Sequence, residues 1–451
     1  MKAVAWFRKR FAETSFMRPV LQLAGGTSIG QGAFLLAMPI ISRLYTPGEM
    51  GLFGLFMAFV GIVGGTLSLR YELSVVAAKN AEDAAYLLLG AFLLVVPMAL
   101  LSSVLLLTLV SYGILSYETL PKNSIPTCFC VLIVTGLFNA ARYASLQTQN
   151  FSGLGKVLSL QGISRSIVTV FTGLLGYGWL GLAIGDAAGK SHGLLSLISQ
   201  ALPTLKTSLE KFSLTRLVTL LSRNWEFPVF LVPSQILNTA ALSLPVPLIA
   251  HFFDASAAGL FFIAQRNALL PSVFVGKSIA DVYHSRSSKL LTESPELVME
   301  FTVATAKRLF KLGCVTMIPA LALAPLAIGP ILGSEWTEAG YIMLSITPWP
   351  IANLVVSPVS RILLLVKDKH FKLWYDISSL LGVVAVIGGG ATFLKLSLLQ
   401  TLALLGLVQT LNYLLLWHLC LRAIKRVTRL NNVVDPASST LSSKDKENPI
   451  E

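Results

Sequence analysis

What most limits this chain is a series of twelve apolar runs, each about 20 residues long, with short polar breaks between them. A helix of that length covers the ~30 Å of hydrocarbon in a bilayer. The runs occupy approximately 18–42, 51–70, 84–110, 125–146, 157–177 and 179–200, then 228–250, 259–280, 309–333, 340–364, 373–394 and 397–420. In lipid every backbone N–H and C=O must be satisfied within the protein, so only helices and closed barrels can span it. The ten-residue alternation of a barrel strand is missing here. Charged residues make up 13% of the chain and the mean hydropathy is +0.72, whereas a soluble domain carries roughly 25% charge. The fold class is all-α polytopic membrane protein.

An even number of spans returns the chain to its starting side. With a cytoplasmic N-terminus, the outer connections hold only Arg43, Lys122 and Lys395 of the 35 Lys and Arg residues. Basic residues collect in cytoplasmic loops, so the asymmetry supports that orientation and the even count. It also argues against a nucleic-acid partner, which the net charge of +13 would otherwise invite. The basic residues flank spans and do not form a basic domain. Residues 1–17 are expected as a basic amphipathic segment on the cytoplasmic face, with Trp6, Phe7 and Phe11 in the interface. A more polar linker, 201–227, is expected along the membrane surface. It joins one six-helix lobe, 18–200, to another, 228–425. The polar tail, 426–451, is expected to be disordered and cytoplasmic.

The two lobes echo each other. "PIISRLYTPGEMGLF" (39–53) aligns without a gap on "PLIAHFFDASAAGLF" (247–261), matching Pro39 with Pro247, Ile41 with Ile249 and Gly51–Leu52–Phe53 with Gly259–Leu260–Phe261. Both copies join the first and second spans of a lobe. Six-span repeats are parallel, related by an axis along the membrane normal, and two such lobes around a central cavity form a transporter plan. A repeated unit also serves structural scaffolds. Within the first copy, Thr46-Pro47-Gly48 reads as a bend and Tyr45 as an interface residue.

An ionisable side chain in hydrocarbon costs ~2.5–3.5 kcal/mol on insertion scales and therefore turns toward a polar interior. Arg266 and Lys190 lie deep in their spans, and Arg142 and Arg165 lie nearer the cytoplasmic side. Lys277 and Arg361 sit close enough to the edge to snorkel out. Lys190 follows Asp186 at i, i+4, so that pair either neutralises itself or shares a ligand site. Arg266 has no acid nearby in sequence. A cavity with several cations and few carboxylates favours an anion, and phosphate suits guanidinium geometry. A carrier of cationic drugs would instead be expected to place carboxylates there. Gln22, Gln31, Gln235 and Asn238 could meet sugar hydroxyls or tie helices together. The four cysteines and five histidines show no metal-ligand spacing, and no nucleotide-binding loop occurs. No cofactor or metal is implied, and short outer connections leave little room for an active site. The chain reads as a carrier and not as an enzyme.

The stretches "ISRLYTPGEMGLFGLF", "LRYELSVVAAKNAEDAA", "FPVFLVPSQILNTAALSLPVPLIAHFFDASAAGLFFIAQR" and "SEWTEAGYIMLSITPWPIANLVVSPVSR" resemble bacterial polysaccharide-biosynthesis flippases. These O-antigen and exopolysaccharide repeat-unit transporters belong to the multidrug/oligosaccharidyl-lipid/polysaccharide exporter superfamily. The resemblance runs from about residue 18 to 425, and His251 departs from it where the first copy has Arg43. It implies a multi-pass inner-membrane transporter that moves an undecaprenyl-diphosphate-linked oligosaccharide from the cytoplasmic to the periplasmic leaflet. Membrane lipid, a polysaccharide polymerase and a chain-length regulator are the further partners it implies. Arg266, Lys190, Arg165, Arg142 and Arg43 would then contact the substrate or line its path, with Asp186 as the group through which an ion gradient acts. A cation-coupled drug or metabolite antiporter of the same superfamily is the alternative. A polysaccharide polymerase or ligase is a third, though it would need a large periplasmic loop.

Overall fold

Apolar runs of spanning length become helices because a helix satisfies its own backbone. Among the described residues of this computed structural model every regular element is helical. The structure describes residues 14–434 apart from 79, 149, 210, 211, 367 and 368. Most of the expected amphipathic start and of the expected tail therefore lies outside the described residues. The first lobe contains α1 (Thr14–Leu44), α2 (Pro47–Gly64), the short α3 (Glu72–Ala77), α4 (Ala81–Ser111), α5 (Ser124–Gln147), α6 (Phe151–Leu174) and α7 (Trp179–Leu209). A surface helix, α8 (Leu214–Arg223), follows. The second lobe contains α9 (Val232–Ser243), α10 (Pro245–Phe252), α11 (Ala255–Pro271), α12 (Lys277–Glu293), α13 (Glu296–Ala322), α14 (Ala324–Leu332), α15 (Thr337–Ser345), α16 (Pro348–Val359), α17 (Lys369–Thr392) and α18 (Leu398–Val434).

Seven helices are long and apolar enough to cross a membrane, and three bent pairs bring the number to ten. The long but more polar α1 and α7 accommodate the remaining two of the twelve expected spans; α7 carries Asp186, Lys190 and His192. The bent pairs correct the expectation of continuous spans. Phe227–Ser243 meets Pro245–Phe252 at 45°, Glu296–Ala322 meets Ala324–Leu332 at 60°, and Ser334–Ser345 meets Pro348–Val359 at 55°. Each second half begins with a proline in its first turn. Proline starts a helix well but lacks the N–H that would continue the one before it.

Other boundaries also move. The second span was expected to reach residue 70, but α2 stops at Gly64 and the chain turns through Leu69 and Arg70, both at positive φ. Helices α7 and α18 run past residues 200 and 425 to Leu209 and Val434, into the expected linker and tail. A helix already nucleated gains one hydrogen bond for each residue it adds, so it need not end where the lipid does. The rest of the linker includes α8, whose Leu217 and Leu221 pack on Gly90 of α4. Arg216 ties α8 to Glu82 and to Asp83, the latter at 2.9 Å. These carboxylates raise the pKa of the Arg216 guanidinium.

Close packing of small residues sets the frame of the first lobe. A Cβ on Gly26 would lie 2.1 Å from the Gly155 carbonyl, and one on Gly162 would lie 2.2 Å from the Gly30 carbonyl. Only glycine permits α1 and α6 to approach this closely, the device by which helices associate without hydrophobic driving force in lipid. Ser159 Oγ donates to the Gly26 carbonyl across the same seam at 3.1 Å.

The sequence repeat reappears as the contact between lobes. A Cβ on Gly51 would fall 1.8 Å from the Ala255 carbonyl, and one on Gly259 would fall 1.9 Å from the Pro47 carbonyl. Gly51 and Gly259 are aligned positions, and so are Pro47 and Ala255. The contact is therefore reciprocal, as a two-fold relation requires. Each copy also caps its second span at the same place. In "TPGE" the Thr46 hydroxyl accepts from the Glu49 N–H while the Glu49 carboxylate accepts from the Thr46 N–H, a capping box with Pro47 in the first turn. In the second copy Asp254 accepts from the Ala257 N–H at 2.7 Å. Tyr45, expected at the membrane interface, is 2% exposed. Its hydroxyl donates to the Thr169 carbonyl at 2.8 Å, so the ring closes α1 onto α6.

Candidate functional site

The glycine seam delivers a charged cluster one turn farther along. Phe34 follows Gly30 by four residues on α1, and Arg165 follows Gly162 by three on α6. The Arg165 guanidinium carbon lies 4.4 Å from the centre of the Phe34 ring. Arg266, from α11 of the other lobe, lies 4.3 Å from the same centre. On α7, Asp186 forms an ion pair with Lys190 Nζ at 2.7 Å and with Arg165 of α6 at 3.4 Å. Lys190 also donates to Thr135 Oγ1 of α5 at 3.0 Å. Four helices of the first lobe and one of the second thus meet around one carboxylate and three cations.

The balance of this cluster is positive. Asp186 is buried, while Arg165 and Lys190 keep 17% and 15% of their side chains exposed. The buried Arg165 Nε has no hydrogen-bond partner among the described residues. Arg266 makes neither an ion pair nor a hydrogen bond with any described residue, and its guanidinium lies over the Phe34 ring. A guanidinium carries five N–H donors and no acceptor. These donors, with a surplus of two positive charges, can hold an anion with several oxygen acceptors. Asp186 is the resident counter-ion of Lys190 and Arg165.

The other candidates are placed separately. Arg142 is exposed, on α5. Thr135, Asn139 and Arg142 are spaced at i, i+4 and i+7, so they share one helix face, and Asn139 Nδ2 donates to the Gly64 carbonyl at the end of α2. That face leads from Lys190 toward Arg142, about 10 Å along the helix from Thr135. Arg43 does not join the cluster. It is nine residues beyond Phe34 on α1, and its guanidinium donates to the carbonyls of Pro39 and, across the lobes, Ile331 at 3.0 Å. The carbonyls ending α14 have no helical partners of their own, which suits them to a cation. Beside it Ser42 Oγ donates to the Leu332 carbonyl and the Trp336 indole donates to the Ser42 carbonyl. His251, aligned with Arg43, meets Ser116 of the first lobe at 3.5 Å. Aligned residues therefore tie the lobes together at this end.

The model of the family described as "Polysaccharide biosynthesis protein" matches residues 40–340. The chain belongs to this polysaccharide biosynthesis protein family. No curated protein matches the sequence. Solved structures share the fold at low identity. An inward-facing multidrug resistance MATE family transporter of the MOP superfamily superposes with a TM-score of 0.65 at 15% identity, over 91% of this chain and 99% of that one. The lipid II flippase MurJ in an inward closed conformation gives 0.63 at 14% identity, over 95% and 93%. A MOP superfamily transporter from Pyrococcus furiosus gives 0.60 at 12%, over 91% and 96%.

For this family member the local pattern hid two residues. Phe34 sat unremarked in an apolar run, since its partners Arg165 and Arg266 are remote in sequence. Asp376 lay inside the eleventh span, a signal that intramembrane charge alone could have supplied. It is 1% exposed and accepts from Asn238 Nδ2 at 3.1 Å, joining α17 to α9. Asn238 thereby acts as a tie between helices, and Gln235 packs against Gly65 of the first lobe. Both follow the structural alternative left open for the amides. The side chains of Gln22 and Lys277 lie outside the described residues.

Proposed function

We propose that this protein is a flippase that carries a lipid-linked oligosaccharide across the bacterial inner membrane by alternating access. The diphosphate between lipid and sugar is held by Arg266, Arg165 and Lys190. The observation that carries this reading is the Arg266 guanidinium. It stands between the two lobes and shares the Phe34 ring with Arg165, with no acceptor for its donors among the described residues. A cation in hydrocarbon is costly, and an arriving diphosphate offsets that cost through charge-assisted hydrogen bonds.

Family membership and the fold shared with a lipid II flippase support a polysaccharide precursor as cargo. No covalent chemistry is required. With a cytoplasmic N-terminus the Arg43 end faces the periplasm, so the lobes are closed there and the substrate arrives along the Arg142 face of α5. Passage to the periplasmic leaflet then requires the Arg43 and His251 contacts to part. The polymerase and chain-length regulator would take the unit after release. A drug antiporter would use a buried carboxylate for a cation; Asp186 is held by Lys190 and Arg165, and Asp376 of α17 accepts from Asn238 of α9.

The test is Arg266→Ala in a strain that depends on this protein for surface polysaccharide. The variant should insert normally and yet fail to deliver lipid-linked units to the periplasmic face. Normal polysaccharide display at wild-type expression would overturn the assignment.

A further inference from the structure

Phe34 is buried, 7% exposed, in the middle of α1. Its ring is the shared contact of two guanidiniums that belong to different lobes. Like charges repel, so such a pair needs something to hold it. Asp186 holds Arg165 at 3.4 Å and is within electrostatic reach of Arg266, but it makes no ion pair with Arg266. The ring supplies a quadrupole whose negative face attracts a cation, most strongly where water is excluded. Because both guanidinium carbons lie within 4.4 Å of one centroid, they are separated by no more than twice that distance. An anion with several oxygen acceptors, seated between the two guanidiniums, can accept from both.

We propose that Phe34 is the positioning residue of the anion site, holding two guanidiniums of different lobes where one anion can accept from both. Its ring keeps Arg165 and Arg266 together while the lobes are together. When the lobes part, Arg266 leaves the ring with its own lobe and the grip becomes that of Arg165 and Lys190 alone. Binding strength is thus tied to lobe position, as alternating access requires of a carrier that must let go. A ligand shifts a conformational balance only through such a difference in affinity between the two states.

This inference rests on the flippase reading, and its test separates the two. Inorganic pyrophosphate is titrated against the purified full-length protein and its Phe34→Met, Phe34→Leu, Phe34→Tyr and Arg266→Ala variants. Phe34→Met fills similar volume without a π face and should lose about tenfold to thirtyfold in pyrophosphate affinity. Phe34→Leu should behave in the same way if the methionine variant fails to fold, and Phe34→Tyr should keep the wild-type affinity. Wild-type affinity in Phe34→Met or Phe34→Leu, or a loss in Phe34→Tyr, overturns the positioning role. If Arg266→Ala binds pyrophosphate as wild type does, the site reading itself fails. Loss in Arg266→Ala with wild-type affinity in Phe34→Met rejects only the role of Phe34.

Discussion

Replacing Asp186 with asparagine removes the one carboxylate in the cluster and leaves Lys190, Arg165 and Arg266 facing one another. The carboxylate is 6% exposed and its two partners lie at 2.7 and 3.4 Å. Removing one partner of a buried ion pair costs about 3–5 kcal/mol. A Coulomb estimate near 4 Å, with an effective dielectric constant of about 20, gives a similar ~4 kcal/mol. Lys190 and Arg165 keep some contact with water, which moves the expected loss toward the lower end, about 3 kcal/mol. The variant should therefore melt at a lower temperature than wild type in detergent. Its cationic surplus is larger by one charge, so inorganic pyrophosphate should restore more stability to it than to wild type. An anion at about 100 times its Kd contributes ~2.7 kcal/mol to a protein that binds it only when folded, which nearly offsets the loss. Thermal unfolding of both proteins with and without pyrophosphate measures this directly. Equal melting temperatures without anion, or a larger pyrophosphate shift in wild type, would refute the reasoning that Asp186 stands in for the substrate's charge.

Further outcomes follow from the packing. Gly162→Ala places a methyl 2.2 Å from the Gly30 carbonyl and should cost about 1–3 kcal/mol by overpacking, read as a lower melting temperature. Pyrophosphate binding should weaken with it, because the same seam carries Phe34 and Arg165. Arg43→Ala removes the donors to the carbonyls of Pro39 and Ile331 and should loosen the lobes at that end. A cysteine placed at Ser116, in a background without the native cysteines, should then react faster with an impermeant maleimide. Unchanged labelling would mean that Arg43 does not hold the lobes closed.

Much of this molecule is local, and local features can be read from residues in order. The apolar runs place the spans, because a helix in lipid needs only its own backbone and about 20 apolar residues. "TPGE" contains a capping box, since the box is a matter of spacing within one turn, although the sequence alone suggested a bend there. The 208-residue echo announces two parallel lobes, and its paired glycines, Gly51 and Gly259, turn out to be the residues on which the lobes meet. The cations within the spans stand out one by one, because their cost in hydrocarbon is the same wherever they fold.

Tertiary structure decided which of those cations act together. Arg266 and Arg165 come from different lobes and share the Phe34 ring, and Phe34 and Arg165 lie one turn beyond Gly30 and Gly162, where α1 meets α6. Arg43 carries the same charge but meets helix-end carbonyls instead. The apolar runs read as continuous where the second lobe bends by 45°, 60° and 55°, although each second half carries a proline in its first turn. In lipid there is little hydrophobic force between helices, so their arrangement depends on close contacts between residues far apart in the chain. Periodicity within a span cannot encode those contacts, which is why the cluster's members were legible one by one and the cluster was not.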